Sequence, residues 1–257
     1  MLIDTHCHLD QEEFDADRSE VVERSHRAGV ERIIAIGTTA DSSEKCVELA
    51  ALHRGVWAAV GIQPNYVAES QPGDWDRVVA LAGRPGVVAL GETGLDRHWD
   101  YAPFALQQDY FDRHLRLSQE LDLPFVVHLR DCEEDILTML REARSRGPLA
   151  GVMHSYTGSI AGAEECVALG LYVSFAGMVT YKRSDELRRC AASVPEDRIL
   201  IETDAPYLSP EPVRKIRRNE PAHLRHTAER LAAARAATLE SFAAMTTANA
   251  QRLFRLP

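Results

Sequence analysis

The sequence predicts an α/β protein of the (β/α)₈ barrel class. Eight short apolar, β-branched runs recur along its 257 residues, and stretches with helical spacing separate them. The runs are almost continuously apolar, which is typical of strands buried on both faces of a parallel sheet. A length near 250 residues is also usual for one barrel of this kind. A doubly wound open sheet would give a similar pattern and stays open as the alternative.

The elements follow one another in a regular order. The predicted strands are residues 2–5, 32–36, 56–61, 87–90, 124–127, 151–153, 171–175 and 198–201. The predicted helices are residues 18–28, 42–53, 74–82, 105–121, 132–144, 160–169, 185–192, 222–236 and 239–254. Only short turns rich in proline and glycine interrupt this order, and no linker or low-complexity tract divides the chain. We therefore expect residues 1–257 to form one domain.

Composition and charge exclude several classes of protein. Hydrophobic residues make up 45% and charged residues 26%, which is typical of a globular chain. The net charge of −10 argues against a broad basic surface that coats nucleic acid. A polyanionic substrate must therefore be held locally, for example by bound metal ions or a few arginines. Five scattered cysteines without a C-x-x-C pair indicate neither a disulfide framework nor a zinc ribbon. With no leader-like start and no apolar stretch near 18 residues, we expect a cytoplasmic protein that does not span a membrane.

Metal-ligating side chains close many of the predicted strands. The reacting groups of a barrel lie at the carboxyl ends of its strands and in the loops that follow. His6 and His8 are two residues apart, so their imidazoles project to one side of a strand while Cys7 points away. The other strand ends supply Glu92, His128, His154, Glu202 and Asp204. Each of these alone is more often structural, but together they would be costly to bury without a cation.

The number of these donors predicts two metal ions. Four imidazoles with Glu92 and Asp204 are too many ligands for one tetrahedral ion, and they suit two ions that share a bridging carboxylate. Glu92 is the expected bridge. Two ions about 3.5–4 Å apart can clamp the attacking and leaving oxygens of a phosphodiester and lower the pKa of water toward neutrality. Zn²⁺, Mg²⁺ and Mn²⁺ all remain open.

With these residues in place, the sequence resembles the TatD family of metal-dependent deoxyribonucleases, which are amidohydrolase-like TIM barrels. The resemblance covers essentially the whole chain, through Asp-Thr-His-Cys-His-Leu at 4–9, Gly-Glu-Thr-Gly-Leu-Asp at 91–96, the segments 123–130, 154–158 and 202–208, Asn-Glu-Pro at 219–221 and the terminal 247–254. It implies a hydrolase acting on the ester bonds of DNA. It assigns one ion to His6, His8, Glu92 and Asp204, and the second to Glu92, His128 and His154.

The chain departs from the family after the third strand. Where the family usually shows Gly-x-His-Pro-His, residues 61–65 read Gly-Ile-Gln-Pro-Asn. Gln63 can donate a hydrogen bond to a phosphate but cannot carry a positive charge. The expected substrate-binding residues are Gln63, Asn65, Arg130 and Tyr156.

Asp204 and Glu92 are the expected catalytic residues. Asp204 ends its strand nearest the mouth and is expected to take the proton of the attacking water, although side-chain direction alone does not exclude Glu202. DNA, single-stranded or at frayed ends, is the expected substrate of a protein favoured to be monomeric. Two rival functions stay open: an amidohydrolase-type esterase or amidase on a small molecule, and a catalytically weak nucleic-acid-binding barrel.

Overall fold

The computed structural model describes residues 1–257, and its eight strands form one sheet. Each strand pairs in parallel with the next strand along the chain. This order confirms the predicted barrel and excludes the doubly wound alternative, in which the strand order reverses at a switch point. The strands are β1 (Leu2–Cys7), β2 (Val30–Ile36), β3 (Val56–Val60), β4 (Val87–Asp96), β5 (Phe125–Arg130), β6 (Gly151–Met153), β7 (Tyr172–Phe175) and β8 (Ile199–Ile201).

Nine helices surround the strands, close to the predicted positions. Thr39, Ser159 and Thr238 are the N-caps of α2, α6 and α9, and each accepts a hydrogen bond from the backbone N–H three residues later. No helix is both long enough and apolar enough to cross a membrane. The helices are α1 (Arg18–Arg27), α2 (Ala40–Leu52), α3 (Asp74–Ala82), α4 (Phe104–Leu121), α5 (Glu133–Arg146), α6 (Ile160–Leu169), α7 (Asp185–Ser193), α8 (Leu224–Ala234) and α9 (Leu239–Phe254).

The core has an inner and an outer layer because successive residues of a strand face opposite sides. All eight strands contribute to a smaller cluster that includes Ile3, Ala89 and Leu200, and this cluster fills the barrel. Leu253 and Phe254 at the end of α9 pack against it. A larger cluster lies between the strands and the helices. The one-domain interpretation stays a prediction, supported by the single sheet.

The barrel closes between β1 and the segment that follows β8. The backbone N–H of Asp204 donates to the carbonyl of His6 at 2.9 Å, and the N–H of His8 donates to the carbonyl of Ala205 at 2.8 Å. Cys7 and Ala205 form a parallel bridge between these two bonds. The first and last predicted metal ligands of the chain are therefore backbone neighbours.

Three strands run further toward the mouth than predicted. Strand β1 extends to Cys7, β4 to Asp96 and β5 to Arg130. The reason is that β4 and β5 continue to pair beyond their apolar parts, with Gly94 opposite His128. Gly94 permits this approach because a Cβ there would lie 2.1 Å from the carbonyl oxygen of His128. Glu92 and His128 consequently lie within strands and not in the loops after them.

Asp4 joins the two sides of the closure through its buried side chain. Its Oδ1 accepts a hydrogen bond from the backbone N–H of Thr203 at 2.9 Å, and its Oδ2 accepts one from the Thr203 hydroxyl at 2.5 Å. Neither residue is more than 2% exposed. A buried N–H that loses its acceptor costs free energy, so this contact should stabilise the closed barrel.

We expect Asp4→Ala to lower the free energy of unfolding by about 1–3 kcal/mol, because the buried N–H of Thr203 loses its acceptor. Urea unfolding followed by circular dichroism measures the change. Asp4→Asn is the matched control, since its amide oxygen can still accept from Thr203, and it should lose less. An alanine variant with the wild-type unfolding midpoint would contradict this role.

Candidate metal centre

Six of the predicted ligands meet at the carboxyl end of the barrel. They come from five strands or from the segments that follow them, and all but His128 and Asp204 are less than 9% exposed. Parallel strands bring their carboxyl ends to one edge, so residues far apart in sequence become neighbours there. The six residues are His6, His8, Glu92, His128, His154 and Asp204.

One set of donor atoms lies beside β1. The Nε2 atoms of His6 and His8 are 3.2 Å apart, which confirms that the two imidazoles face the same side. Glu92 Oε2 is 3.5 Å from His6 Nε2 and 3.6 Å from His8 Nε2. Asp204 Oδ1 is 3.6 Å and 3.4 Å from the same two nitrogens.

A second set lies beside β5 and β6. Glu92 Oε1 is 2.9 Å from His128 Nδ1 and 3.1 Å from His154 Nε2, and these two nitrogens are 3.5 Å apart. The two carboxylate oxygens of Glu92 therefore face different pairs of imidazoles. One side chain belongs to both sets.

Three of the imidazoles are oriented by a partner on their other ring nitrogen. His8 Nδ1 is 3.2 Å from the carbonyl oxygen of Ile36, and His154 Nδ1 is 3.3 Å from Glu202 Oε1. His128 Nε2 is 2.9 Å from Asp96 Oδ2. An acceptor at the outer nitrogen holds a ring proton there and directs the inner nitrogen toward the centre, which is the tautomer through which a histidine binds a metal ion.

Charge is strongly coupled within the cluster. Burial disfavours the charged form of Glu92, but the imidazoles, His154 above all, outweigh burial and hold the pKa of Glu92 well below its usual range. Burial also disfavours a charge on His8, yet Asp204 and Glu92 raise the pKa of His8 to about 9. The cluster therefore favours positive charge at its centre.

The donors fit divalent metal ions in chemistry and in spacing. Imidazole nitrogens and carboxylate oxygens are ligands of Zn²⁺ and Mn²⁺. Contacts within the two sets measure between 2.9 and 3.6 Å. Donors held at the usual distance from one tetrahedral ion would be roughly 3.3–3.6 Å apart.

Comparison with known proteins gives the family. The family model described as TatD related DNase matches residues 3–255 of the chain. The chain belongs to this family. It is 39% identical over 256 residues to the uncharacterized metal-dependent hydrolase YabD of Bacillus subtilis (strain 168), covering 100% of both chains.

Two further relatives extend the likeness. The chain is 37% identical over 259 residues to the 3'-5' ssDNA/RNA exonuclease TatD of Salmonella typhimurium, covering 99% of each. Its fold superimposes on YjjV, the TatD homologue of Escherichia coli K12, with a TM-score of 0.93 at 30% identity over 100% of this chain and 98% of that one. The protein is thus a TatD-family metal-dependent hydrolase, as its resemblance indicated.

The two carboxylates after β8 have different surroundings in this TatD-family hydrolase. Asp204 faces His6 and His8, and its side chain is 14% exposed. Glu202 is 1% exposed and lies behind His154, where its Oε1 also accepts from the backbone N–H of Ser155 at 2.5 Å. Asp204 is therefore the carboxylate at the open side of the cluster, and Glu202 acts through His154.

Asp96 is a functional residue that the sequence analysis left unassigned, although it ends the Gly-Glu-Thr-Gly-Leu-Asp segment. Its Oδ2 accepts from the Nε2 of His128 and also from the Nδ2 of Asn65 at 3.1 Å. Asp96 follows Glu92 by four residues on β4, and an even spacing on a strand places both side chains on one face. That spacing could have identified it.

Gln63 and Asn65 bond to the protein in places where a substrate contact was expected. Gln63 is 7% exposed, and its Oε1 accepts from the backbone N–H of Asn65 at 2.8 Å. The side-chain amide of Asn65 donates a hydrogen bond to Asp96. Both residues lie near the mouth, and these bonds let them support the loop and His128; their contacts with substrate stay predictions.

The other two residues expected to contact the substrate, Arg130 and Tyr156, differ in exposure. Arg130 is exposed at the end of β5, and its guanidinium lies 5.6 Å from the ring centroid of Trp99. Tyr156 is only 1% exposed, and its hydroxyl donates to Glu133 at 2.8 Å or to the carbonyl of Ser159 at 2.7 Å. A ring so enclosed offers no face to a base, so the prediction for Tyr156 is wrong. The side chain of Tyr156 packs in the cluster between the strands and the helices, a direction that strand alternation does not reveal.

The loop that carries Gln63 rests on a buried histidine of α4. The backbone N–H of Ile62 donates to His114 Nε2 at 3.2 Å, so His114 Nδ1 carries the proton and donates to the carbonyl of Tyr110 at 2.7 Å. Burial lowers the pKa of His114 to about 4. The neutral imidazole is therefore the folded form.

Because the pKa of His114 is lower in the folded chain, its contribution to stability is fully present above about pH 6.5 and is lost as the pH falls toward 4. In His114→Gln this contribution is absent. We expect the difference in unfolding free energy between wild type and variant to shrink, on the order of 2 kcal/mol, between about pH 7.5 and pH 5. Urea unfolding at both pH values measures it, and a constant difference would contradict the assignment.

Proposed function

We propose that the protein is a metal-dependent nuclease that hydrolyses phosphodiester bonds of DNA, on single strands or frayed ends, with two divalent ions. The observation that carries this proposal is the position of Glu92, whose two oxygens face two separate imidazole pairs. Two ions sharing a carboxylate suit in-line displacement at phosphorus. The named activity of the Salmonella relative, a 3'-5' ssDNA/RNA exonuclease, supports the same substrate class.

The residues for each ion follow from the two donor sets. His6, His8, Glu92 and Asp204 would hold one ion, and Glu92, His128 and His154 would hold the other. Divalent ions of the Zn²⁺, Mg²⁺ or Mn²⁺ type supply Lewis acidity toward phosphoryl oxygens and acidify water. Glu92 contributes an ionised carboxylate to both, since its low pKa keeps it charged at neutral pH.

Asp204 serves as the general base. Its Oδ1 faces His6 and His8, which leaves Oδ2 to accept the proton of the attacking water. Burial opposes its ionisation, but His8 and His6 outweigh burial and keep the pKa of Asp204 below its usual value, so it is unprotonated and available. Arg130, exposed at the rim, is suited to orient a phosphate oxygen.

Other features fit a protein that works alone in a reducing compartment. All five cysteines are free and buried, which suits the proposed cytoplasmic location. We propose that residues 1–257 act as one domain and as a monomer, because each donor in the two sets comes from the same chain.

The activity is tested with the purified full-length protein and end-labelled DNA. We expect hydrolysis of single strands to exceed that of blunt duplexes, to stop with chelator and to return with Mg²⁺, Mn²⁺ or Zn²⁺. Gel analysis of products over time is the measurement. Intact strands under all metals, together with cleavage of a simple carboxylic ester, would replace the nuclease by a small-molecule hydrolase.

Replacing the base separates chemistry from binding. Asp204→Asn should lower kcat by about 10²–10⁴-fold while single strands still bind, because an amide cannot accept the proton. Glu202→Gln should cost less, since Glu202 contacts His154 and not the open side. Single-turnover rates with metal content measured in parallel test this. A fast Asp204→Asn with an inactive Glu202→Gln would assign the base to Glu202.

A further inference from the structure

The exposed aromatic residues of this protein are all at one end. The chain has seven phenylalanines, three tryptophans and seven tyrosines. Only four of them are exposed by 36% or more: Tyr66 (36%), Trp99 (42%), Tyr101 (60%) and Tyr207 (47%). Tyr66 follows β3, Trp99 and Tyr101 follow β4, and Tyr207 follows β8, so all four lie at the carboxyl end that holds the metal centre. We call them the aromatic rim.

Chance exposure does not explain this distribution. Large aromatic side chains are normally buried, and the few that are exposed have no reason to gather around one opening. The other large exposed side chains away from the rim are aliphatic, for example Leu52 and Leu121. Exposed apolar surface collected beside a reactive centre marks a contact with a ligand.

Trp99 and Tyr101 already form a stack. Their ring centroids are 5.4 Å apart and their planes differ by 7°. The guanidinium of Arg130 lies 5.6 Å from the Trp99 centroid, and the ring of His98 stands edge-on to Trp99 at 4.7 Å. Tyr101 is the most exposed member, so its outer face is open to another flat ring.

The same carboxylate fixes this stack and the metal centre. Asp96 Oδ1 accepts from the backbone N–H groups of His98 at 2.8 Å and Trp99 at 3.0 Å. Its Oδ2 receives the hydrogen bond from His128. Asp96 therefore connects the loop that carries the stack directly to His128, one of the proposed metal ligands.

The rim continues on the other side of the mouth. The ring of Tyr207 meets His8 edge-on with centroids 5.9 Å apart, and its hydroxyl donates to Gln11 Oε1 at 3.2 Å. Tyr66 lies at the end of the helical turn that begins with Pro64, next to the Gln63 loop. Flat rings therefore border the metal centre on two sides.

Charge and shape together select the ligand. A chain of net charge −10 does not attract a polyanion through a broad basic surface. Residues 214–218, a basic segment after β8, include two arginines that already have partners: Arg218 pairs with Asp17 at 2.6 Å, and Arg214 stacks on Tyr181 at 3.9 Å. Stacking needs no net charge and accepts every base, but it requires bases that are unpaired.

We propose that the aromatic rim is a base-stacking subsite for single-stranded nucleic acid, in which Trp99 and Tyr101 take a base next to the hydrolysed phosphate and Arg130 takes a phosphate. This inference rests on the proposed nuclease function and adds the residues that select unpaired strands. Duplex DNA is disfavoured at the rim because its bases are already stacked on one another.

The test compares two short fluorescent strands of equal length, one with bases and one abasic. Fluorescence anisotropy gives the Kd of each for the full-length Asp204→Asn protein with metal present, which prevents rapid hydrolysis. In that background, changing both Trp99 and Tyr101 to Ala should raise the Kd of the base-containing strand about 5- to 50-fold and leave that of the abasic strand nearly unchanged. Arg130→Ala should weaken both strands.

Two further variants serve as controls. Trp99→Phe keeps a flat ring and should retain most of the affinity for the base-containing strand. Leu52→Ala removes an exposed side chain at the end of α2 and should change neither Kd. Because Trp57 and Trp75 are half-buried, quenching of tryptophan fluorescence by the base-containing strand should largely disappear in the Trp99 variants.

Each other outcome overturns the inference. Equal loss for both strands would mean that the double variant disturbs phosphate binding or the fold, and unchanged Kd values would mean that bases do not touch the rim. A parent protein that binds neither strand would remove the ligand altogether. Metal-dependent hydrolysis by the wild type is scored separately, so the nuclease function can stand when the rim proposal fails.

Discussion

The metal centre depends on the seam of the barrel, where two backbone hydrogen bonds join β1 to the segment after β8. The bond from Asp204 to the carbonyl of His6 and the bond from His8 to the carbonyl of Ala205 complete the circle of strands. The same two bonds set three predicted ligands side by side. A barrel that opened at this seam would lose both its inner core and the first donor set, so stability and metal binding depend on one contact. Asp4, buried against Thr203, reinforces that contact from within.

Near the seam, the imidazoles of the site stabilise the buried negative charge of Glu92. Glu92 is 3% exposed, and an isolated carboxylate there would be too costly to keep ionised. Four imidazoles surround it, and three of them are turned toward it by acceptors on their outer nitrogens. Asp96 and Glu202 belong to this arrangement although neither needs to touch a metal ion. The outer layer decides where each ring proton lies and therefore which nitrogen can bind.

Much of this could be predicted from the sequence, because the information is local. Continuous apolar runs separated by helical stretches gave the barrel, and the spacing of His6 and His8 gave their common direction. What failed depends on contacts between strands. Pairing of β4 with β5 past the apolar residues needs Gly94, and it carries Glu92 and His128 into strands. The direction of Tyr156 depends on the chain after a strand has ended, where alternation no longer applies.

Which aromatic residues after the strands are exposed, and which polar residues support the loop, were harder to predict for the same reason. Exposure of Trp99 and burial of Tyr156 cannot be distinguished by residue type, since both follow a strand. The side-chain oxygen of Gln63 accepts from the backbone of Asn65, which supports the loop, while donation from its amide nitrogen to a phosphate stays a prediction. A hydrogen-bonding side chain near a mouth can serve the loop or the ligand, and only the fold decides which.

The seam also joins ligands that are synthesised at very different times. His6 and His8 are synthesised before all the other ligands, whereas Asp204 emerges only after β8. The second donor set ends with His154, but Glu202, which orients His154, also follows β8. During synthesis both halves of the centre therefore wait for the last strand, because the site beside β1 lacks Asp204 and the site beside β5 and β6 lacks the carboxylate that orients His154.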